Sequence, residues 1–351
     1  MAKVRSDDIK FMRRCLDLAQ AAEGLTYPNP LVGSVIVHDG VIIGEGYHLR
    51  AGEPHAEENA IKSVKTRELL AESTLYVNLE PCSHFGKRPP CSDLIIRTGI
   101  RRVIIGTIDT SDKVAGKGIK KLEKAGVMVV SGVLDDECRF INRRFFTYNE
   151  KKRPYIILKW AQTADGFIDK VREKSALRAP TWIIGKAERI LVHRWRAAEQ
   201  AILVGAGTYR SDDPDLRVRD WTGRNPVRLV LSGSGKLTSR KTLFKSPGTN
   251  IVFTRDASLK IHDSTVITLD KEIDPVKQIA GYLYKEGIQS VIIEGGAKVL
   301  ELFINSGLWD EARVFYGYNN FGSGVRGPSI KGKISSETKF SSATYKLILN
   351  D

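Results

Sequence analysis

The chain has 351 residues, 42% of them hydrophobic, so two domains with substantial cores are expected. It has no run of about eighteen apolar residues and no continuous apolar stretch at its start, which argues against a membrane span or a secretion signal and favours the cytoplasm. The net charge of +14 is uneven, with 22 basic and 20 acidic residues in 1–150 but 33 and 21 in 151–351. Clustered basic residues with interleaved aromatic residues are lacking, so we expect no nucleic-acid partner, and phosphorylated small molecules would suit the basic second half.

The first half alternates helical and strand patterns. In chain order we predict a helix near 7–23, two strands within 31–48 around an Asp39-Gly40 turn, a helix over 55–64, a strand over 73–82, a helix over 91–99, a strand over 101–109, a helix over 116–127 and a strand over 127–133. Because strands and helices alternate, we expect a mostly parallel sheet covered on both faces.

One histidine and two cysteines of this half form the ligand set of a catalytic zinc site. His55 lies in "PHAEENA", and Cys82 and Cys91 lie in "LEPCSHFGKRPPC". Catalytic zinc sites use three protein ligands and keep a fourth position for water. Glu57 follows His55 as in the zinc deaminase signature, where the glutamate is a general acid and base. The second cysteine comes nine residues after the first, so an additional loop separates the two thiolates.

A structural zinc site is the alternative for these residues. It would need a fourth ligand, and His84, which lies inside the loop, is the nearest candidate. Zinc is preferred for this ligand set, although the ligand types also allow other divalent ions. Cys15 and Cys138 are interpreted as ordinary buried thiols, and no disulfide framework is expected.

The boundary between the halves is predicted near 145–153, where the sequence is polar and charged and Pro154 follows. After it we predict a bent strand or strand pair over 155–168, a helix near 185–197, a strand from 201 followed by a glycine turn and a loop to 214, strands at 227–233, 250–255 and 264–269, a helix over 274–288, a strand over 289–296 and a helix over 297–308. The tail from about 310 mixes strand and glycine-rich loop.

Two glycine turns in the second half suit an anionic cofactor. "SVIIEGGAKVLELF" places two glycines between an apolar strand and a helix, where the backbone can approach a ligand and the helix N-terminus favours a phosphate. "VGAGTYRSDDP" adds a second glycine turn that two carboxylates follow. Many strand–helix turns carry glycines for geometry alone, so ordinary turns remain the alternative.

Motifs in both halves, in order, resemble one family. "TYPNPLVGSVIV", "HAEENA", "LEPCSHFGKRPPC" and "VAGKGI" resemble the deaminase half of the bifunctional deaminase/reductase family of riboflavin biosynthesis. "RPYIILKWAQTADGFI", "TWI", "VHRWRA", "ILVGAGTYRSDDPDLRVR" and "IIEGGA" resemble its reductase half. The resemblance covers nearly the whole chain, and the spacer between the two cysteines is its most specific part.

The resemblance implies a cytidine-deaminase-like α/β/α domain over 1–148 and a dihydrofolate-reductase-like α/β domain over 149–351. It implies zinc-dependent deamination of 2,5-diamino-6-(5-phosphoribosylamino)pyrimidin-4-one, then NADPH-dependent reduction of the ribosyl side chain to give 5-amino-6-(5-phosphoribitylamino)uracil. It also implies a homo-oligomer, a dimer or a tetramer. Asn29 resembles a contact to the substrate ring, and His84 and Lys87 resemble residues that help to hold the substrate.

In the reductase half, the resemblance assigns residues to two groups. The first group contacts NADPH and comprises Ala161, Trp182, Thr208, Asp212, Gly296, Ala297, Lys298, Val299, Leu300, Glu301 and Leu302. The second contacts the substrate and comprises Lys159, Arg196, Leu216, Arg219 and Glu294. Asp165 lies in the same strand region as Lys159. The alternative for Trp182 is a core position, and for the two arginines it is surface ion pairing.

Three departures from the family pattern stand out. Pro180 occupies a position where the family often has a hydroxyl residue near the substrate, and proline cannot supply that hydrogen bond. The family's "D-x-N-P" appears as "DTSDKV" at 109–114, and the tail "YGYNNFGSGVRGPSIKG" replaces a more apolar ending. None of these changes touches the predicted zinc ligands.

Two other functions use some of the same residues. A tRNA or nucleobase deaminase would share the zinc chemistry and use the basic surface, but it would not bind NADPH. A zinc-stabilised binding module would have lost turnover. The strand–glycine–helix turns of the second half argue against the first alternative, and the intact Glu57 argues against the second.

Overall fold

The computed structural model describes residues 5–85, 89–111, 115–171 and 181–350 of the chain. These residues form two compact units, Met1–Lys152 and Arg153–Asp351. Within the described ranges, no helix is long and apolar enough to span a bilayer.

The first unit contains one five-stranded sheet and six α-helices among its described residues. In chain order its elements are α1 (Ser6–Gln20), β1 (Gly33–His38), β2 (Val41–Tyr47), α2 (Ala56–Ser63), β3 (Thr74–Leu79), α3 (Cys91–Arg97), β4 (Arg102–Thr107), α4 (Lys117–Lys124), β5 (Met128–Ser131), α5 (Asp135–Ile141) and α6 (Arg143–Lys151). A short 3₁₀ helix, Arg67–Glu72, precedes β3.

The sheet of the first unit is only half parallel. Its strand order is β2-β1-β3-β4-β5. β1 pairs antiparallel with both β2 and β3, whereas the β3–β4 and β4–β5 pairs are parallel. The predicted hairpin at Asp39-Gly40 is confirmed, but the prediction of a mostly parallel sheet was wrong, because β1 also pairs antiparallel with β3. Two apolar clusters fill the unit: α1 and α5 contribute to one, and α2 and α3 to the other.

The second unit is built on a nine-stranded sheet. Its elements are β6 (Tyr155–Gln162), β7 (Phe167–Asp169), α7 (Lys186–Ala198), β8 (Ala201–Gly205), α8 (Ala206–Asp212), β9 (Val227–Ser232), α9 (Thr242–Lys245), β10 (Asn250–Thr254), β11 (Thr265–Thr268), α10 (Pro275–Lys285), β12 (Ser290–Gly295), α11 (Ala297–Ser306), β13 (Glu311–Gly317), β14 (Val325–Arg326), β15 (Lys333–Lys339) and β16 (Ala343–Leu349).

The strand order in this sheet is β11-β10-β9-β8-β12-β6-β13-β16-β15. All neighbours from β11 to β13 are parallel, and β16 pairs antiparallel with β13 and with β15. The short strands β7 and β14 form a separate antiparallel pair. The carboxyl ends of β6, β8 and β12 therefore meet at one edge of the sheet, the usual place for ligands in open α/β sheets.

Two segments contain helices that were not predicted. The segment at the predicted boundary is helical as α6, because burial of Arg144, Phe146 and Thr147 gives this charged stretch one inward face. The segment after β8, expected to be a loop, begins as α8 directly after Gly205. High polarity averaged along the chain hid the periodicity in α6.

Two glycines let helix α2 lie directly on strand β2. A Cβ atom built on Gly44 would lie 2.6 Å from the carbonyl oxygen of Ala60, and one built on Gly46 would lie 2.4 Å from the amide nitrogen of the same residue. Side chains at these positions would therefore push the helix away from the sheet. Since α2 follows His55 directly and carries Glu57 in its first turn, this contact sets the position of both residues.

We expect the substitution Gly46→Ala to lower the stability of the first unit by about 1–3 kcal/mol, because an overpacked contact must displace backbone. It should also lower the rate of the deamination that the family resemblance implies, because His55 and Glu57 lie at the start of α2. Gly281→Ala is the control, since nothing lies within 4 Å of the added atom in α10. Calorimetric unfolding and a deaminase assay on both variants check this, and wild-type values for Gly46→Ala would contradict it.

Candidate active sites of the two units

Three potential metal ligands converge in the first unit. His55 is the N-cap of α2, Cys91 is the first residue of α3, and Cys82 follows β3. The Nδ1 atom of His55 lies 3.6 Å from the Sγ of Cys82 and 3.3 Å from the Sγ of Cys91. The three ligand atoms all lie within 4.8 Å of one another.

The donor set and its spacing fit zinc. In a tetrahedral site with bonds of about 2.3 Å to sulfur and about 2.0 Å to nitrogen, these ligands lie about 3.5 Å apart. A hydrogen bond between the two thiols lowers the pKa of Cys82 to about 4 and raises the pKa of Cys91, because they share a proton. A bound zinc ion would displace that proton and hold both groups as thiolates. The amide of Cys91 also donates to the Sγ of Cys82 at 3.3 Å.

Glu57 lies beside these ligands and is almost completely buried. Burial, more than any charge, raises the pKa of its carboxyl group to about 6, and a hydrogen bond with Cys91 opposes that rise. A carboxyl group with a pKa near neutrality can both accept and return a proton at physiological pH. Its position and its pKa therefore suit a general acid and base.

Asn29 is connected to this site through a histidine that the sequence reading did not single out. The side-chain amide of Asn29 donates to Nε2 of His48 at 3.0 Å, and Nδ1 of His48 donates to the carbonyl oxygen of Pro54 at 3.1 Å. The rings of His48 and His55 are 5.3 Å apart in an edge-to-face arrangement. His48 is buried, and burial lowers its pKa. It is thus held neutral, with its free lone pair towards Asn29.

Glu80 was also missed, and it organises the loop beyond β4. Its buried carboxylate accepts hydrogen bonds from the amides of Asp109, Gly116, Gly118 and Ile119 at 2.8–3.3 Å. These donors include the first turn of α4, where an acidic side chain is favoured. A Cβ on Gly118 would lie only 2.0 Å from the carbonyl oxygen of Pro81, so the first turn of α4 rests against the chain just before Cys82. In the sequence, only its place in the motif "LEPC", two residues before Cys82, could have pointed to Glu80.

The other predicted residues of this half have different positions. His84 is exposed and is not among the three clustered ligands. Lys87 and part of the 109–114 segment lie outside the described residues. Cys15 and Cys138 are free, buried thiols in the apolar cluster beside α1.

In the second unit, the two predicted glycine turns lie side by side. The Oγ1 atom of Thr208 would be 3.0 Å from a Cβ on Gly295 and 3.2 Å from one on Gly296, whose φ is +73°. A Cβ on Gly205 would likewise lie 2.6 Å from a methyl group of Val299. The start of α8 and the start of α11 therefore meet where β8 and β12 end, and they can do so because the strand ends lack side chains.

Only part of the 296–302 segment faces this edge. The amides of Val299 and Leu300 donate to the carbonyl oxygen of Gly296, which leaves the amides of Ala297 and Lys298 directed beyond the helix end. The side chains divide by face: Val299 and Leu300 are buried, Leu302 is half-buried, and Lys298 and Glu301 are exposed. A phosphate at this turn would therefore contact the backbone of its first residues.

Three predicted substrate residues form one ion cluster. Arg196 makes a two-pronged contact with Glu294, with distances of 2.8 and 2.7 Å, and the Nζ of Lys159 is 3.7 Å from the same carboxylate. Burial alone would raise the pKa of Glu294, but the charges of Arg196 and Lys159 lower it to about 2. Burial lowers the pKa of Lys159. Arg196 is thus no surface ion-pair partner, because its side chain is only 12% exposed.

Arg219 and Leu216 lie on the irregular segment after α8. Asp215 faces three guanidinium groups, those of Arg217 at 2.8 Å and of Arg219 and Arg228 at 3.8 Å. Three positive charges around one carboxylate leave a surplus that suits a phosphate. The side chain of Leu216 is buried in the core. Any contact of Leu216 with substrate would therefore involve its backbone.

The remaining predicted positions lie in β6, at the end of α8 and in the segments between β6 and α7. Trp182 is 56% exposed, with the guanidinium of Arg189 4.2 Å from its ring centre, so it is no core residue. Ala161 packs against the apolar cluster that contains Ile183, the residue after Trp182. Asp212 ends α8 and accepts a hydrogen bond from Ser211. Asp165 accepts hydrogen bonds from the amides of two residues of the 319–324 loop. Pro180 lies outside the described residues.

Comparison with known proteins finds a matching protein family for each half of the chain. Residues 5–107 match the cytidine and deoxycytidylate deaminase zinc-binding region, and residues 154–347 match the RibD C-terminal domain. The riboflavin biosynthesis protein RibD of Aquifex aeolicus is 39% identical over 92% of this chain and 90% of its own length. The RibD protein of Escherichia coli is 35% identical over 91% and 90%, respectively.

A solved structure agrees along the whole chain. The diaminohydroxyphosphoribosylaminopyrimidine deaminase/5-amino-6-(5-phosphoribosylamino)uracil reductase of Thermotoga maritima is 37% identical, with a TM-score of 0.89 over 98% of this chain and 99% of that one. The predicted fold class is confirmed: a cytidine-deaminase-like domain precedes a dihydrofolate-reductase-like domain.

The Glu294 cluster predicts how the second unit responds to acid. A carboxylate whose pKa falls from 4.5 to about 2 on folding stabilises the fold fully above pH 4.5, and this stabilisation is lost as the pH falls towards 2. Between these values, we expect the free energy of unfolding of the wild type to fall more steeply than that of Glu294→Gln, by at most about 1.4 kcal/mol per pH unit.

Urea unfolding followed by tryptophan fluorescence isolates this unit, because all five tryptophans lie after residue 152. Glu337→Gln is the matched control, since its carboxylate is 42% exposed in β15. It should keep the wild-type slope. Equal slopes for the wild type and Glu294→Gln would show that the ion cluster does not depress this pKa.

Proposed function

The chain belongs to the RibD family and is a bifunctional deaminase and reductase of riboflavin biosynthesis, and we propose the substrate and the residues with which each unit works. The first unit hydrolyses the ring amino group of 2,5-diamino-6-(5-phosphoribosylamino)pyrimidin-4-one and releases ammonia. The second reduces the ribosyl side chain with NADPH, giving 5-amino-6-(5-phosphoribitylamino)uracil. The observation that supports this most directly is the buried carboxyl group of Glu57 beside a three-ligand zinc site.

In the deaminase unit, His55, Cys82 and Cys91 would hold the zinc ion. When bound, zinc would supply a water molecule of lowered pKa for attack on the ring carbon that carries the amino group. Glu57 would take the two protons of the attacking water one after the other, giving the first to the ring nitrogen and the second to the departing amine, which leaves as ammonia. Asn29, oriented by His48, contacts the pyrimidine ring.

In the reductase unit, the carboxyl ends of β8 and β12 would hold NADPH. Thr208 and the amides at the start of α11 would contact its phosphates, and Ala161, Trp182 and Asp212 would complete its contacts. The substrate lies over Lys159, Glu294 and Arg196, with its phosphate towards Arg219. Hydride transfer is the chemistry of the cofactor, so these residues bind and align the two reactants.

The cellular context follows from the same chemistry. Cys82 and Cys91 are free thiols and must stay reduced to bind zinc, which supports a reducing compartment such as the cytoplasm. We also propose a homo-oligomer, either a dimer or a tetramer. Strand β15 supports this, because all seven of its residues are exposed at the edge of the sheet and such edges pair readily with other chains.

The proposed acid and base role of Glu57 can be tested by substitution, with the neighbouring Glu58 as the matched control. We expect Glu57→Gln to lower the deamination rate by about 10²–10⁴-fold while zinc content stays at the wild-type level. Glu58→Gln should retain the wild-type rate, because that half-buried carboxylate pairs with Lys62 at 2.5 Å. Ammonia release and metal analysis are measured on both proteins. Full turnover by Glu57→Gln would refute the role.

The order of the two reactions has its own test. The wild type should oxidise NADPH when given either the diaminopyrimidine substrate or its deaminated product. Glu57→Gln should oxidise NADPH with the deaminated compound alone, because its first unit no longer makes the substrate of the second. Absorbance at the NADPH band is recorded with each substrate in turn. Oxidation by Glu57→Gln with the diaminopyrimidine would mean that reduction does not require prior deamination.

A further inference from the structure

The segment that carries Arg219 has no regular secondary structure to hold it. Residues 213–220 follow α8 and form neither helix nor strand. Asp213 and Leu216 have φ values of +46° and +60°, a region that side chains other than glycine rarely adopt. Backbone in such a conformation persists only where its surroundings hold it.

Helix α7 supplies part of that support through two side chains on one face. The amide of Arg219 donates to Nδ1 of His193 at 3.1 Å, and Nη1 of Arg196 donates to the carbonyl oxygen of Arg217 at 3.5 Å. His193 and Arg196 are three residues apart and therefore neighbours on the helix surface. Arg196 also binds Glu294. One face of α7 therefore both supports the 213–220 segment and takes part in the ion cluster of Lys159, Arg196 and Glu294.

The hydrogen bond to Arg219 fixes the chemical form of His193. An amide can only donate, so Nδ1 must carry a lone pair, and the proton of the neutral ring lies on Nε2, 3.6 Å from the carboxylate of Asp220. The side chain is buried, and burial with the charges of Arg196 and Arg219 lowers its pKa, against the opposing charges of Asp220 and Glu294. The ring is thereby kept neutral.

The side chain of Arg219 depends on its backbone for its position. It is 52% exposed, and its ion pair with Asp215 is 3.8 Å long, beyond a hydrogen bond. Arg217, by contrast, has a direct hydrogen bond of 2.8 Å to the same carboxylate, and Arg228 is fully buried. Arg219 is therefore the guanidinium of this group that is open to an incoming anion.

We propose that His193 is a positioning residue for phosphate recognition by the reductase, because it holds the backbone of Arg219 so that the guanidinium meets the phosphate of the substrate. The inference rests on the proposed function, which assigns Arg219 to that phosphate. His193 contacts neither reactant in this scheme. Its effect should therefore appear in the binding of the phosphorylated substrate and not in hydride transfer.

Two conservative variants separate this role from packing. In His193→Asn, the side-chain oxygen can take the place of Nδ1, whereas in His193→Gln it can take the place of Nε2, which faces Asp220. We expect His193→Gln to raise the KM for the deaminated phosphorylated substrate about tenfold, as for loss of one hydrogen bond, and to leave kcat within about twofold. His193→Asn should restore KM to within about threefold of the wild type.

The dephosphorylated analogue of the substrate and a surface histidine provide the controls. With this analogue, His193→Gln, His193→Asn and the wild type should have similar kcat/KM values. His262→Gln should behave as the wild type on both compounds, because His262 is 86% exposed. Equal losses in both His193 variants, or equal losses on both substrates, would reduce His193 to a packing residue and overturn the proposal.

Arg219→Gln separates the failure of this inference from the failure of the proposed function. If Arg219→Gln loses the preference for the phosphorylated substrate and His193→Gln keeps it, the inference fails and the assignment of Arg219 stands. If Arg219→Gln keeps the preference, both fail. Should His193→Gln not fold, the ¹⁵N spectrum of histidine-labelled wild type decides instead. A neutral ring with an unprotonated Nδ1, absent in His193→Asn, supports the inference, whereas a protonated Nδ1 overturns it.

Discussion

Close contact between a strand and a helix at glycine positions is the constraint on which both sites depend. In the first unit, α2 reaches β2 over Gly44 and Gly46, which sets the positions of His55 and Glu57. In the second, the turn at Gly295 meets Thr208. In each case a Cβ atom would fall within about 3.0 Å of an atom of the facing helix, so the strand and the helix can meet only where the strand carries no side chain.

Buried carboxylates stabilise these crowded strand ends in two different ways. Glu80, directly after β3, accepts hydrogen bonds from four backbone amides and so fixes the backbone that carries them. Glu294, near the end of β12, forms ion pairs with two cationic side chains and so fixes their positions. An unpaired buried carboxylate would be strongly destabilising. Glu80 avoids this through hydrogen bonds from backbone amides, and Glu294 avoids it through ion pairs. The carboxylate of Glu80 fixes backbone near Cys82. The two cations around Glu294 exceed its single negative charge, so one positive charge remains available for a substrate.

The sequence was most informative where chemistry depends on residue type and short spacing. The zinc ligands, Glu57 and the glycine turns were all predicted, because few other arrangements satisfy those chemical demands. The antiparallel pairing of β1 with β3 was not predicted, since the apolar pattern of a strand does not show which strand it pairs with or in which direction. Helix α6 was missed because its buried face, with Phe146, is surrounded by charged residues. Long-range pairing and burial decided both cases.

Residues that act on backbone are the hardest to find from sequence. His48, Glu80 and His193 contact a carbonyl or amide group far along the chain or across a turn, and such partners impose no side-chain pattern on the segment they hold. The reactive residues, by contrast, must combine fixed chemical types within a small volume. A site read from motifs therefore contains its reactive atoms but lacks the groups that orient them. Those groups become visible only when the fold brings a buried polar side chain to an irregular backbone segment.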